Sequence, residues 1–167
     1  TTIGEYAFDG CENLVNVKIP NSVSMIKESA FGGCSALIDI EIPSSVTTIN
    51  ELCFFGCSSL TNIKIPNSVT MIKELAFNGC SALTDIEIPS SVTTIKIGAF
   101  ADCTALKSIT MRPTTPPETE GSIFCNCTQP IDIFVPPGTE KMYKIYPWYN
   151  YCIIDKSLIM MIEEEEP

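Results

Sequence analysis

The sequence contains no histidine, and that absence excludes several kinds of chemistry. Serine and cysteine nucleophiles that depend on an imidazole base cannot be built, and neither can zinc sites with histidine ligands. An enzyme would have to work with carboxylates, lysine, tyrosine or cysteine, and no spacing singles out a carboxylate pair for glycoside hydrolysis. We therefore expect a protein that is not an enzyme, with no catalytic residues, no metal and no cofactor.

Long apolar runs and excess positive charge are also missing. The longest apolar run, Leu158–Ile162, is far shorter than the roughly 18 residues that a membrane span requires, so we expect no direct membrane insertion. The 20 acidic and 10 basic side chains give a net charge of −10. An acidic surface repels phosphate backbones, so nucleic acid is not an expected partner. The 45% apolar content is nevertheless enough for a packed core.

The feature that the sequence does contain is an internal repeat of 23 residues, which never slips through five units. Four columns of apolar residues follow this step. They are Ile3, Ile26, Ile49, Ile72 and Ile95; Phe8, Phe31, Phe54, Phe77 and Phe100; Cys11, Cys34, Cys57, Cys80 and Cys103; and Leu14, Leu37, Leu60, Leu83 and Leu106.

A second period of 46 residues lies on top of the first. Residues 18–49 and 64–95 are identical at 28 of 32 positions, which indicates duplication of a two-coil block. Few positions have diverged since, and this argues against a single dedicated site.

Each unit contains the signature of a short strand. Apolar side chains alternate from Leu37 through Ile40 to Ile42, as expected for a strand with one buried face. Pro43 then turns the chain out of the sheet. Val46 and Ile49 are predicted to form a second extended piece on the opposite wall. One such coil cannot bury enough apolar surface to fold alone, so successive coils must stack, as in solenoids.

These units closely resemble the BspA-type leucine-rich repeats of bacterial and protozoan surface proteins. IPNSVTMIKELAFNGCSAL at residues 65–83 and IPSSVTTI at residues 88–95 carry the resemblance, which extends over residues 3–151. A degenerate unit, one residue longer, follows with Phe124, Cys127, Ile133 and Val135. The resemblance implies a repeat solenoid, a right-handed leucine-rich-repeat-like coil with a parallel β-sheet on its concave face.

We expect three parts on this basis. The solenoid covers residues 1–136, with five regular units at residues 3–117 and the degenerate unit at residues 118–136. A capping segment follows at residues 137–162, and an acidic tail at residues 163–167. Residues 112–122, with three prolines, are expected to be a connecting loop.

The resemblance also implies a function. It indicates a non-catalytic domain that binds macromolecules, as part of a cell-surface or secreted adhesin that contacts host or matrix proteins or other cells. The alternative is a structural or assembly module, in the cytoplasm, that acts through the edge or the faces of the solenoid. The chain starts in mid-coil, so we expect either upstream repeats or edge-to-edge self-association at that end.

The outward positions of the predicted strands form two rows across the sheet, and they are the candidate ligand-contact face. Charges alternate along one row, which fits either a polar contact surface or charge pairing within the sheet. The rows are Lys18, Glu41, Lys64, Glu87 and Thr110; and Asn16, Asp39, Asn62, Asp85 and Ser108.

The nine cysteines could indicate metal binding or disulfides, but their spacing favours structure. Five of them follow the 23-residue step, and we expect all five to form a buried ladder beside the phenylalanines, where a thiol behaves as a small apolar group. Neither Cys53 with Cys57 nor Cys125 with Cys127 makes the paired C-x-x-C arrangement of a zinc site. We expect mostly free thiols.

Aromatic residues concentrate near the end of the chain. A short helix is predicted to begin at Glu140 and to end at Pro147, with Met142, Ile145 and Tyr146 on one face. The segment is interpreted as a lid over the last coil, because solenoids need capping. The alternative is a second contact site, an aromatic patch of Tyr146, Trp148 and Tyr149.

Overall fold

The computed structural model describes residues 1–145 and 159–161 of the 167-residue chain. They form a parallel β-solenoid of about six turns of roughly 23 residues, as the repeat predicts. Each regular turn contributes two short strands, one to each of two walls, and apolar side chains from both walls fill the core between them.

The front wall consists of the strands that follow the leucine column. They run parallel and fall into two sheets, β2-β4-β6 and β8-β10-β12-β13, which meet where β6 contacts β8. Their bounds are β2 Asn16–Val17, β4 Asp39–Glu41, β6 Asn62–Lys64, β8 Asp85–Ile88, β10 Ser108–Met111, β12 Asp132–Val135 and β13 Ile159–Met161.

The back wall consists of the strands at the isoleucine column, as predicted from Val46 and Ile49. It too contains two parallel sheets, β1-β3 and β5-β7-β9-β11. Their bounds are β1 Thr2–Ile3, β3 Met25–Ile26, β5 Thr48–Ile49, β7 Met71–Ile72, β9 Thr94–Ile95 and β11 Glu118–Thr119. The last of these strands lies within residues 112–122, so the expectation of a plain loop there is wrong: two of its residues pair with β9.

The phenylalanine column forms a continuous stack from Phe8 to Phe124. Neighbouring ring centroids are 5.1 to 6.0 Å apart, and the first five rings are within 6° of parallel. Equivalent side chains of successive coils therefore lie above one another, and the degenerate unit continues the stack even though its extra residue shifts the sequence step to 24.

The cysteine column is buried next to the rings, with one exception. Cys34, Cys57, Cys80 and Cys103 are fully buried, but Cys11 is exposed, so the prediction of five buried thiols is wrong at this position. The physical reason is that a buried thiol of this column lies against the preceding coil, and among the described residues no coil precedes Cys11. The eight cysteines that the structure describes are free.

Two ladders of side-chain hydrogen bonds join the coils. Each buried cysteine of the column donates to the phenylalanine carbonyl of the previous coil, as Cys57 Sγ does to Phe31 O at 3.2 Å. In the turn after the front strand, Ser68 Oγ donates to Val46 O at 2.6 Å, and Ser45 and Ser91 make equivalent bonds. The serine hydroxyls thus reach backbone carbonyls of the previous coil, and the cysteine thiols add a second donor to phenylalanine carbonyls that already accept a backbone N–H, as Phe31 O does from Cys34 N at 3.3 Å.

The corner between the two walls needs left-handed backbone in every coil. Gly79 has a φ of +75°, and a Cβ there would lie 3.4 Å from the Cα of Gly56 in the coil below. Such a contact is an ordinary one, so glycine is favoured here by the left-handed conformation. Asp102 and Asn126 take the same place in later coils.

The helix at the end of the solenoid is shorter than predicted and buries a different side chain. Helix α1 begins at Glu140, as expected, but ends at Tyr143. Met142 and Ile145 are exposed, whereas Tyr143 is fully buried and donates from its hydroxyl to Pro113 O at 2.7 Å. A tyrosine can be buried here because that carbonyl satisfies its hydroxyl group. Strand β13 then pairs with β12 and extends the front wall by one strand.

Candidate functional site

The candidate face is the outer side of the front wall, and alternation within the strands creates it. In β4, Ile40 points into the core while Asp39 and Glu41 are exposed, and β6 and β8 follow the same pattern. Parallel pairing then places equivalent residues side by side. Asp39 pairs with Asn16 on one side and with Asn62 on the other, and Glu41 pairs with Lys64.

The structure brings the predicted rows together along the wall. Lys18 directly follows β2, and Ser108 and Thr110 continue the rows in register with Asp85 and Glu87 on β8. The two residues on β10 are half-buried, whereas the charged members are exposed. The predicted aromatic patch of Tyr146, Trp148 and Tyr149, and the acidic tail, lie outside the described residues.

Most charged side chains of this face do not form ion pairs within the fold. Among residues 1–145 and 159–161, three ion pairs lie within 4.0 Å: Lys27–Glu5, Lys96–Glu120 and Arg112–Glu87. Lys18, Glu41 and Lys64 are exposed and take part in none of them. These three members of the alternating row are therefore available to a partner, whereas Glu87, the fourth charged member, is paired with Arg112.

Three further residues of the face were missed by the sequence reasoning. Asp132 and Phe134 on β12 are in register with Ser108 and Thr110, and Phe134 in turn with Met160 on β13. Both β12 positions were readable from the sequence, since the degenerate unit is one residue longer and shifts the rows to a step of 24. Met160 is separated from Phe134 by 26 residues and carried no such signal.

Arg112 adds a cation at the edge of the same face. Its guanidinium donates to Glu87 Oε2 at 3.0 Å, and this hydrogen bond raises the pKa of Arg112. The face therefore changes along the solenoid, from free charges directly after β2 and on β4 and β6, through an ion pair on β8, to a half-buried aromatic ring on β12.

Two grooves mark this face at equivalent places. One of about 550 Å³ lies over β2 and β4, and the other, of about 450 Å³, lies over β6 and β8. Seven residues that line the first groove have counterparts 46 residues later in the second. They are Asn16, Lys18, Pro20, Asn21, Asp39, Glu41 and Pro43 in the first, and Asn62, Lys64, Pro66, Asn67, Asp85, Glu87 and Pro89 in the second.

The buried thiols offer no reactive site. Burial raises the pKa of Cys34 to about 11 and that of Cys57 to about 12, so neither thiol is ionised near neutral pH. Among the described residues, no three His, Cys, Asp or Glu side chains converge as ligands for a metal ion. Within the same residues, no helix combines the length and apolar character needed to cross a bilayer.

Two short strands per coil, stacked side chains and an open polar wall define a leucine-rich-repeat solenoid that functions as a repeat interaction module. More particularly, the chain belongs to the BspA-type leucine-rich repeat family. The model of this family matches in six copies, over residues 1–131 and 53–154. No curated protein sequence matches the chain.

Solved structures of bacterial leucine-rich repeat proteins are similar over nearly the whole chain. A leucine-rich repeat protein of T. pallidum is 27% identical with a TM-score of 0.65, and the match covers 96% of this chain and 66% of that one. A leucine-rich repeat protein from Bacteroides ovatus is 24% identical with a TM-score of 0.58, covering 96% and 55%. The pneumococcal vaccine antigen PcpA is 18% identical with a TM-score of 0.65, covering 89% and 41%. The chain thus spans less than two thirds of the length of each.

Proposed function

We propose that this chain is a non-catalytic adhesive domain of a surface or secreted protein, and that it binds a protein partner through the outer side of its front wall. The observation that carries the proposal is the row of exposed, unpaired charges on β4 and β6, in a chain of the BspA-type leucine-rich repeat family. Exposed charges that have no partner within the fold can pair with a ligand without first breaking an internal contact.

The two walls differ in a way that favours the front wall. On the back wall, Lys27 and Lys96 are tied to Glu5 and Glu120, and the grooves with repeated linings lie on the front. The half-buried ring of Phe134 gives the front wall an aromatic group next to its charged rows, and aromatic groups are enriched among residues that dominate binding energy.

The test compares two triple variants that change the charge equally. Asp39→Ala, Glu41→Ala and Lys64→Ala remove two carboxylates and one ammonium group from the front wall. The matched control, Glu51→Ala, Glu74→Ala and Lys73→Ala, removes the same groups from the back wall. The measurement is retention on a panel of immobilised matrix proteins, with melting curves to verify the fold.

We expect the unmodified chain and the control to be retained by the same matrix proteins and the front-wall variant to lose retention. Loss in the control with retention in the front-wall variant would overturn the assignment of the face. Retention of none of the panel by the unmodified chain would contradict the adhesive role itself and favour the scaffold module acting through solenoid edges.

A further inference from the structure

The charged row of the front wall is complementary to its own reverse. It contains four exposed members on successive coils, in the order Lys18, Glu41, Lys64 and Glu87. The signs therefore alternate, and the two ends of the row carry opposite charges. When a second copy of the row is turned end for end, an anion lies opposite every cation.

The neighbouring row has the same property with amides and carboxylates. Its exposed members, in the same order of coils, are Asn16, Asp39, Asn62 and Asp85. An asparagine NH₂ group donates hydrogen bonds and a carboxylate accepts them. Reversal of this row places an amide opposite every carboxylate, so both rows specify the same partner in the same orientation.

The face carries little net charge, so it does not select a ligand of one sign. Arg112 donates to Glu87 Oε2 at 3.0 Å and adds a third cation to the two lysines of the row. These three cations oppose the four carboxylates of the two rows. A partner is therefore recognised by the order of the charges and not by their sum.

Two-fold symmetry, the commonest symmetry of protein dimers, limits how two such faces can meet. If the axis ran along the solenoid, every coil would face its own counterpart, and Glu41 would meet Glu41 or Asp39 of the second copy. Carboxylates in contact repel one another, so this arrangement is unfavourable. If the axis runs parallel to the strands, each row faces itself in reverse order and opposite charges meet.

The position of the axis follows from the alternation as well. An axis through a strand places like charges together, as it would place Glu41 against itself at β4. An axis between β4 and β6 places Glu41 opposite Lys64 of the second copy, and Lys18 opposite Glu87. Each contact occurs twice, so four ion pairs form, and no other position of the axis along the row gives as many.

We propose that the front wall binds a second copy of this chain, with the two solenoids antiparallel and the two-fold axis parallel to the strands between β4 and β6. Each groove then faces the other groove of the second copy. Glu87 can take part because Arg112 occupies one of its carboxylate oxygens and leaves the other to Lys18. The inference rests on the proposed function, since it names a partner for the same face. Copies that stand on two opposed surfaces approach one another in this orientation, so the pair would serve adhesion between like cells.

The net charge makes the pair weak. The charge of −10 on each chain opposes association at long range. At 0.15 M salt the Debye length is about 8 Å, so distant charges are largely screened while groups in contact are not. Exposed ion pairs contribute little each. We therefore expect a dissociation constant of roughly 0.1 mM, which suits molecules that are concentrated on a surface.

Analytical ultracentrifugation of the full chain at 0.15 M salt, with a reductant to keep exposed thiols from cross-linking, measures the pair. Glu41→Lys and Lys64→Glu each place like charges at the central contact, so each variant alone should associate at least roughly tenfold more weakly than the unmodified chain. An equimolar mixture of the two should recover the unmodified affinity. In that mixture one central contact keeps the native Glu41 and Lys64, and the other has both signs exchanged.

A chain that carries both substitutions should also recover, because every central contact again joins opposite charges. This double variant keeps the test valid if one single variant folds poorly, and melting curves verify each fold. The matched control consists of the single variants Glu51→Lys and Lys73→Glu on the back wall, which change the net charge equally. Neither should weaken association, and their mixture should behave as the unmodified chain does.

Several results would overturn the inference. An unmodified chain that stays monomeric at roughly 1 mM forms no such pair. Association that persists unchanged in both front-wall variants uses another surface, such as the edge of the solenoid. Failure of the mixture and of the double variant to recover would show that Glu41 and Lys64 do not lie opposite each other, and equal weakening in the control would assign the effect to net charge.

The outcome is separable from that of the proposed function. If the chain is monomeric while retention on matrix proteins still requires the front wall, the face binds other proteins and the inference about a second copy fails. If the pair forms as described while retention survives the front-wall triple variant, the proposed binding of matrix proteins through this face fails and the inference stands.

Discussion

At the residue scale, the cysteine column shows how one side chain can serve two purposes. The thiol fills a small apolar volume beside the phenylalanine rings, and it also donates to a carbonyl group of the coil below. Cys80 Sγ, for example, lies 3.3 Å from Phe54 O in a fully buried position. Alanine would remove this donor and leave Phe54 O with the N–H of Cys57 alone, and a larger residue would not fit between stacked coils.

The buried thiols predict a pH dependence of stability. Burial raises the pKa of Cys57 to about 12, above the ordinary value of 9.0 that applies in the unfolded chain. A raised folded pKa means that the contribution of this thiol is fully present below about pH 9 and is lost as the pH rises towards 12. The loss amounts to about 1.4 kcal/mol per pH unit for each such thiol.

The measurement is urea unfolding of the unmodified chain and of Cys57→Ala at pH 7 and pH 10. The difference in free energy of unfolding between them should shrink by roughly 1.4 kcal/mol at the higher pH, because alanine cannot ionise when the chain unfolds. The control is Val69→Ala, which shortens a fully buried side chain without removing a titratable group, and its effect should be the same at both pH values. A constant difference for Cys57→Ala would contradict the prediction.

Sequence reasoning is accurate for residues whose environment repeats and inaccurate where the repeat stops. The burial of Cys34 through Cys103 follows from the 23-residue step alone, because each has a coil on both sides. The exposure of Cys11 does not follow from the step, because burial at this position requires a preceding coil and no described coil precedes Cys11. Similarly, Tyr143 lies outside any repeat, and its burial depends on a carbonyl at Pro113, 30 residues away.

At the element scale, each coil is held mainly by the coils on either side. Its strands have two or, in the longer ones, three or four residues, too short for stability alone, and they gain their hydrogen bonds from parallel neighbours. The core is likewise shared, because the ring of Phe54 stacks between those of Phe31 and Phe77 at 5.7 and 5.4 Å. Damage to one coil should therefore weaken its neighbours as well.

Two adjacent phenylalanines allow the contribution of the ring stack to stability to be tested. Phe54 is fully buried in the stack, whereas Phe55 is 44% exposed. Phe54→Ala should lower the free energy of unfolding by about 3 to 5 kcal/mol, the range for deletion of a buried ring. Phe55→Ala is the matched control and should lower the free energy of unfolding by about 1 kcal/mol or less, since its ring is already partly exposed to water in the folded chain.

Urea unfolding followed by far-ultraviolet circular dichroism measures both changes. If the two variants were destabilised equally, the stack would not be the source of stability that its geometry indicates. The comparison is direct because the two positions are neighbours in one coil and lose the same atoms.

The strands of the front wall also show how far a candidate site follows from sequence. Alternation and the 23-residue step predict the register of the rows from β2 to β10, as in the pairing of Asp39 with Asn62 and of Asp85 with Ser108, but not that the two members on β10 are half-buried. The step does not predict that β6 and β8 belong to separate sheets. Nor does it predict the grooves, which are lined by residues of the rows and by the prolines that follow the strands.

At the scale of the whole molecule, the solenoid has an end that differs from its middle. Strand β12 would be an open edge of the front wall, with unpaired backbone groups, if no strand paired with its free side. Such edges promote association between chains. Strand β13 pairs along it, and α1 brings Tyr143 against Pro113 in the loop that joins the two walls. Both contacts are made by residues that follow Pro137.

We therefore expect truncation after Pro137 to cause aggregation and a lower melting temperature. The shortened chain loses a paired strand and the buried Tyr143, and it exposes the edge of β12 together with the apolar residues beneath it. Light scattering and thermal melting measure the two effects. Deletion of residues 163–167 alone is the control, because it removes the four terminal glutamates that the longer truncation also removes, and with them their contribution to solubility.

The control separates two causes of aggregation. If both shortened chains aggregate, the lost negative charge is responsible and the contacts of β13 and α1 are not needed to protect the edge. If only the longer truncation aggregates, the edge is the cause, since the shorter one retains both α1 and β13. A soluble monomer with unchanged melting after removal of everything beyond Pro137 would show that the last coil needs no cover, contrary to the behaviour of solenoids whose terminal repeats bury an apolar face.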